Sequence, residues 1–383
     1  LSAREPRCPD EADGSVLLSH VQEWAFKNTI PLNASIEVTL RCNIRCLHCY
    51  NFDRDQPKPS CDKPELSTEE ILKLMDDLRA AGCLFISLTG GEVLSHPDLF
   101  QFLDHARQLN LSVQLLTNGT MLRQEVAERL ASYQNLSGIS VSLYGATARV
   151  HDAITQMPGS FQRTWDGITR MRQLGVTVRL KFIVMAQNAH EVEAMKAEAD
   201  ARGLPYLVDL TITQRHDGSK GSLVTRLSRE TLDDLFRGPL YELGLRQPVE
   251  YTDENASCNC ARGNVGITAT GDVVPCISVP WTAGNIREQA FAEIWKSSPV
   301  FQRIRGLKLS DYEDCQSCGD QPYCRRSRGA ALTASGSYTG IDPFICVQAE
   351  ITHRIADERA AGVDPRRPGP IKAPPRLALT VVR

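Results

Sequence analysis

Between residues 35 and 240 six short apolar runs recur, each followed by a stretch with helical periodicity. No other feature of the sequence restricts the fold as much. The runs fall at 35–40, 84–89, 111–116, 138–143, 176–185 and 204–212. Strands that alternate with helices pair in parallel through right-handed crossovers. Six such units make an incomplete barrel, with its functional groups expected at the carboxyl ends of the strands. Local signals agree. Ser67 answered by Glu70 is a capping box that opens a helix to about residue 81. Pro97 suits the first turn of the next helix, and another helix is expected over 227–236.

Cysteines supply the second constraint. Just after the first run, Cys42, Cys46 and Cys49 are spaced C-x3-C-x2-C. Three thiolates on one loop suit three corners of an iron–sulfur cube. Ordinary four-iron clusters take four cysteines, so a local trio leaves one iron open to a substrate or cofactor. The alternative is a zinc loop, but zinc usually takes paired C-x2-C knuckles, and no matching pair lies nearby. A second field holds Cys258, Cys260 and Cys276, then Cys315, Cys318 and Cys324 at C-x2-C-x5-C, and finally Cys346. Residues 265–274 read as a hairpin turning at Gly271-Asp272. A zinc ribbon is the alternative for Cys315 and Cys318. Thirteen cysteines, an odd number and mostly clustered, argue for metal ligation in a reducing cytosol over a disulfide framework. Cys8, Cys61 and Cys83 read as free thiols.

The cysteine trio, together with Gly90-Gly91-Glu92 after the second strand and the six strand–helix units, resembles the radical S-adenosylmethionine (SAM) superfamily. The second field resembles the SPASM extension of those enzymes. The resemblance implies a partial (β/α)6 TIM-like barrel over 35–240 and a small cysteine-rich α+β SPASM domain over 250–350. An N-terminal extension covers 1–34, and a helix with a Pro/Arg-rich tail covers 351–383. It implies a [4Fe-4S] cluster on Cys42, Cys46 and Cys49, and SAM chelating the open iron. Cleavage of SAM then yields a 5′-deoxyadenosyl radical that abstracts hydrogen from substrate. Carried over residue by residue, Gly90 and Gly91 offer backbone to the SAM amino group, which Glu92 supports by its charge. Ser142 meets the ribose or carboxylate, His48 flanks the adenine, and Asn118 ends the third strand at the same rim. Many relatives place an arginine where this chain has Thr155, so the carboxylate contact is sought elsewhere, with Lys181 the candidate. One or two auxiliary iron–sulfur clusters are implied. The distal one would use Cys315, Cys318, Cys324 and Cys346. The proximal one would use Cys258, Cys260 and Cys276 and lack its fourth cysteine, for which this sequence has Ser327 or Arg328.

The balance of 43 Lys and Arg against 46 Asp and Glu gives a net charge of −3, so no whole-protein field recruits nucleic acid or an anionic membrane. No apolar run reaches the roughly 18 residues of a span, and a cytoplasmic location is expected. The resemblance implies a precursor peptide as substrate and an electron donor such as flavodoxin or ferredoxin. Residues 1–34 are short for a peptide-recognition domain, so a separate leader-peptide recognition protein is anticipated. The leading expectation is a maturase that forms a crosslink in a ribosomally made peptide. The alternative is a dehydrogenase oxidising an alcohol or thiol of a side chain or sugar. Related side-chain oxidases carry an aspartate after the cysteine matching Cys276, where this chain has Ile277. A non-catalytic zinc scaffold is the reading from a different class.

Overall fold

The computed structural model describes residues 11–53, 63–253, 255, 258–367 and 369–373, with side chains from residue 17. Cys8, Cys61 and the chain beyond 373 lie outside the described residues. After helix α1 (Glu11–Lys27), six strands alternate with helices: β1 (Asn33–Thr39), α2 (Thr68–Ala80), β2 (Phe85–Gly90), α3 (Leu99–Gln108), β3 (Ser112–Thr117), α4 (Gln124–Ala131), β4 (Leu136–Leu143), α5 (Ala148–Thr155), α6 (Ser160–Gln173), β5 (Val178–Ile183), α7 (Val192–Ala201) and β6 (Tyr206–Asp209). Each pairs in parallel with its predecessor. The fold is the expected partial barrel.

Period-two alternation decides which side chains reach the barrel interior. Ile36, Val38, Ile86, Leu88, Val113, Leu115, Ile139, Val141, Leu180 and Phe182 are buried in the main apolar core. The intervening positions Glu37, Thr89, Ser140, Ser142 and Lys181 are polar, and all but Glu37 line the cavity at the strand ends. Ser67 and Glu70 close the capping box reciprocally, at 3.2 and 2.7 Å. The helix expected to begin near Pro97 starts two residues later, after a short turn over Val93–Ser95.

The second half continues with α8 (Arg229–Arg237), α9 (Tyr241–Gly244), β7 (Asn264–Ile267), β8 (Asp272–Val274), β9 (Gly284–Asn285), α10 (Phe291–Ser297), α11 (Pro299–Gly306), α12 (Glu313–Gln316), α13 (Arg328–Ser335) and α14 (Pro343–Ala360). The hairpin β7–β8 does not stand apart. β7 adds in parallel to the free edge of β1, with Ile36 opposite Ile267, so one nine-stranded sheet runs β6-β5-β4-β3-β2-β1-β7-β8-β9. The helix expected over 351–361 begins eight residues earlier. Asp342 caps it by accepting from Phe344 N at 3.0 Å, and Pro343 takes the first helical position. Cys346 therefore lies within this helix rather than before it.

Arg226, in the loop after β6, ties that helix to the barrel. It donates to both oxygens of Asp342, at 3.1 and 2.7 Å, and the Asp342 side chain is fully buried. Removing one partner of a buried ion pair strands the other charge. Arg226→Ala is expected to lower unfolding stability by about 3–5 kcal/mol, measured by urea denaturation.

Candidate functional site

Gly90 and Gly91 bring two backbones together at the barrel rim. Gly90 has φ +125°, and a Cβ on it would lie 2.2 Å from Thr39 O. A Cβ on Gly91 would lie 2.1 Å from Arg41 O. With no side chains there, Gly91 N donates to Thr39 O and Glu92 N to Arg41 O, both at 2.7 Å. The pair thus clamps the start of the cysteine loop to β2. Other elements hold the loop further along. Arg45 N and Leu47 N donate to Thr155 O and Ile154 O at the end of α5, and His216 N donates to Tyr50 O. Asn118 Nδ2 donates to Asn43 Oδ1 at 2.9 Å and lies 4.0 Å from Cys42 Sγ.

Glu92 differs from the expectation. It is fully buried, absent from the cavity wall, and accepts from Thr117 Oγ1 at 2.6 Å, Asn118 N at 2.8 Å and Leu94 N at 3.1 Å. Burial raises its pKa, against those bonds. Its carboxylate is consumed in joining the ends of β2 and β3, so it sets the position of Asn118 instead of facing a ligand. The glycines, too, are explained by loop packing, whatever they offer a ligand.

The cavity holds about 370 Å³, within the range of ligand sites. Cys42, Cys46, His48, Cys49, Gly90, Gly91, Asn118, Ser142 and Lys181 all line it. The geometry therefore gathers every expected SAM-site residue except Glu92. His48 packs edge-on to Tyr144 with ring centroids 4.7 Å apart. Its buried Nδ1 has no hydrogen-bond partner among the described residues. Burial, then the nearby Lys181 and Arg215 cations, pull its pKa down to about 3. Ser142 and Tyr144 line the same wall, and burial drives up the pKa of the Tyr144 hydroxyl. Lys181 Nζ stands 3.5 Å from Asp209 Oδ2. It is the one Lys or Arg side chain in the wall among the described residues. Thr155 is buried, its hydroxyl 2.7 Å from Ser160 Oγ, so it offers the cavity no substitute for an arginine.

Several contributors escaped the sequence reading. Tyr50 donates to Glu37 Oε1 at 2.9 Å, deep in the barrel. Burial, then the Glu37 charge, raise its pKa. The polar, turn-rich residues 219–228 read as a linker or substrate loop, and the segment just before them is packed inward. Arg215 is 7% exposed and donates to Leu47 O at 3.2 Å, while His216 lines the cavity. Gly218 and Ser219 masked this by their turn chemistry. Asp209 and Tyr144 were visible only as residues at strand ends.

The second cysteine field folds into two groups. Cys258 and Cys276 both lie beside Cys260, with the Tyr338 hydroxyl 3.7 Å from Cys258 Sγ. Cys346, on α14, lies within electrostatic reach of Cys324, Cys315 and Cys318. Burial first, then those thiols, push its pKa up to about 11. All eleven described cysteines are free. Among the described residues no group of three His, Cys, Asp or Glu is arranged around a point where one metal ion would sit. The donor set is thiol-only in each group, which fits iron–sulfur clusters. Ser327 caps α13 by accepting from Ala330 N at 3.3 Å. With Ile277 and Ser278, it lines the same cavity as the first trio.

Comparison with known proteins agrees with this architecture. A model of the Radical SAM superfamily matches residues 36–198, and one of the SPASM iron–sulfur cluster-binding domain matches residues 258–319. The chain carries a Radical SAM domain and a SPASM domain. A [4Fe-4S] cluster, SAM and auxiliary clusters are the cofactors of these domains. The chain is 29% identical over 334 residues to the AdoMet-dependent heme synthase of Methanosarcina barkeri, covering 80% of this chain and 94% of that protein. It is 28% identical over 369 residues to the mycofactocin maturase MftC of Mycobacterium ulcerans, covering 89% and 94%. The fold superposes on Streptococcus suis SuiB bound to its precursor peptide SuiA with a TM-score of 0.64 and 16% identity, covering 90% and 83%. Among the described residues no helix is long and apolar enough to cross a membrane.

Since Gly91 has no room for a Cβ, Gly91→Ala is expected to displace the 39–42 backbone. The readout is the iron content of the anaerobically reconstituted protein. It should fall by the share of one cluster while the remaining iron persists.

Proposed function

We propose that the enzyme abstracts hydrogen from a ribosomally made precursor peptide and forms a crosslink in it. The carrying observation is one cavity, lined by Cys42, Cys46 and Cys49 and also by Ile277, Ser278 and Ser327 beside the auxiliary cysteines. A substrate there lies between a radical source and a second redox centre. In this reading Cys42, Cys46 and Cys49 hold the radical-site cluster within residues 35–240. Cys315, Cys318, Cys324 and Cys346 hold a closed distal cluster within 250–350. Cys258, Cys260 and Cys276 hold three corners of a proximal one. Cluster and SAM together supply the 5′-deoxyadenosyl radical.

The protein's own residues bind and orient. Gly90 and Gly91 set the loop, Asn118 and Ser142 present polar atoms to SAM, Lys181 offers its ammonium to the SAM carboxylate, and His48 walls the adenine as a neutral ring. A further cavity, which shares His216 with the first and is lined by Trp281 and Tyr338, extends the path along which a peptide chain can lie. The maturase relative and the likeness to SuiB support a peptide. Side-chain oxidation is less well supported, because Ile277 lines the cavity with an apolar side chain and cannot take the alcohol or thiol proton. A second reading, heme-forming chemistry, is favoured by the likeness to the heme synthase of M. barkeri.

Incubation with SAM and dithionite, with and without a precursor peptide encoded beside the gene, tests the assignment. Loss of a hydrogen pair from the peptide with matching 5′-deoxyadenosine release is the expected result. Turnover of a tetrapyrrole with an unaltered peptide would favour the second reading. Cys42→Ala, Cys46→Ala and Cys49→Ala should each abolish 5′-deoxyadenosine formation. The triple-alanine variant should retain more iron than one four-iron cluster holds, as read by iron and sulfide analysis. Retention of only one cluster's iron would mean that the Cys258 group is empty.

A further inference from the structure

Where the family pattern has its remaining cysteine, this chain has Ser327 and Arg328. Arg328 is only 3% exposed, and its guanidinium lies 3.9 Å from the Tyr312 ring centroid. Arg326, two residues earlier, stacks 3.8 Å from the Tyr251 ring centroid. Tyr251 is itself tied to the cysteine segment, its hydroxyl donating to Cys324 O at 2.6 Å. Stacking satisfies the face of a guanidinium but leaves its in-plane N–H donors pointing sideways. Nε, Nη1 and Nη2 of Arg326 and Nη2 of Arg328 are all buried without a hydrogen-bond partner among the described residues. Buried donors in that state are rare and call for a partner.

Besides the tyrosine rings, cysteine sulfurs lie within electrostatic range of both guanidinium groups. Arg326 and Arg328 both act electrostatically on Cys324, and Arg328 also faces Cys315 and Cys258. A neutral thiol is a weak acceptor. The thiolates and sulfides of a cluster are anionic, and charge-assisted bonds to them are strong. Hydrogen bonds to the sulfurs and local charge are among the quantities that set a cluster's potential.

We propose that Arg326 and Arg328 are positioning residues for the auxiliary clusters. They donate hydrogen bonds and positive charge to the centre held by Cys315, Cys318, Cys324 and Cys346, with Arg328 also reaching the Cys258 group. The proposal rests on the cysteine assignment made under the proposed function. One added electron makes the centre more negative by one unit, so fixed cations at its sulfurs favour the reduced form and raise the potential. That is the sense required of a centre that accepts an electron from substrate. Arg328 takes a place that the family pattern gives to a ligand, so this chain gains charge beside the clusters where it loses a thiolate.

The test uses the full chain with Cys42, Cys46 and Cys49 replaced by alanine, reconstituted anaerobically, so that only auxiliary clusters give a signal. With arginine labelled by 15N in the guanidinium and the centre reduced by dithionite, pulsed electron paramagnetic resonance should show 15N coupling to the cluster. The coupling should weaken in Arg326→Met and in Arg328→Met. Because Arg246 faces Cys324 as well, these variants identify the source. Potentiometric titration should show about tenfold less reduced centre at a fixed poise in either Met variant, 59 mV for a one-electron couple. Arg328→Lys, which keeps the charge, should shift less. Full iron content with no arginine coupling, or unshifted midpoints in Met variants that keep their iron, overturns the proposal. If the Met variants lose iron, the coupling in the labelled parent decides: its presence supports the proposal and its absence overturns it. Absence of iron from the parent overturns the cysteine assignment and this inference with it.

Discussion

The backbone contact between residues 39–41 and 90–92 governs the rest of the site. Two hydrogen bonds at 2.7 Å, possible only because Gly90 and Gly91 lack side chains, fix where the cysteine loop leaves β1. Everything downstream is measured from that junction. The end of α5 takes up the Arg45 and Leu47 amides, Asn118 reaches Asn43, and Arg215 reaches the Leu47 carbonyl. Each contact is modest alone. Together they over-determine a loop with no regular structure of its own, which is how a catalytic loop is held in register by rigid elements.

Burial then sorts the charged groups by task. Glu92 and Glu37 are both inside the barrel, yet neither faces the cavity. One joins two strand ends, and the other accepts from Tyr50 and from the Ala269 amide at 3.4 Å. Glu37 therefore bridges the barrel and the chain that follows β7. The sheet makes the same connection, since β7 pairs directly on β1. A single apolar core also spans both halves, from Ile36 and Leu88 to Phe301, Ile345 and Ile355. The two cysteine fields are thus placed relative to one another by shared hydrogen bonds and shared packing.

Much of this was legible in the residues. Period-two runs between helical patterns gave six parallel strands, and the C-x3-C-x2-C loop and glycine pair marked one rim as the site. The capping box at Ser67 and the hairpin turn at Gly271 were local events, decided by neighbours a few residues apart. The boundaries missed were those where a competing local signal won. Asp342-Pro343 started a helix early, and a short turn after Glu92 delayed the helix near Pro97. The burial of Arg215 was not legible, because the turn residues that follow it describe backbone conformation and say nothing of burial.

By itself, the sequence determined the kinds of elements, the order of the strands, and which residue types stood ready for iron and for SAM. Apolar periodicity and spacing carry that information, because they depend on neighbours along the chain. Tertiary structure alone decided where each polar group found its partner. Glu92 stands beside Thr117 and Asn118, Lys181 beside Asp209, and the buried donors of Arg326 and Arg328 beside cysteines from two groups. A buried polar atom must be satisfied wherever an acceptor lies. Whether that acceptor is the protein's own carboxylate, as for Thr117 and Asn118, or is missing from the polypeptide, as for Arg326, depends on contacts between residues far apart in the chain.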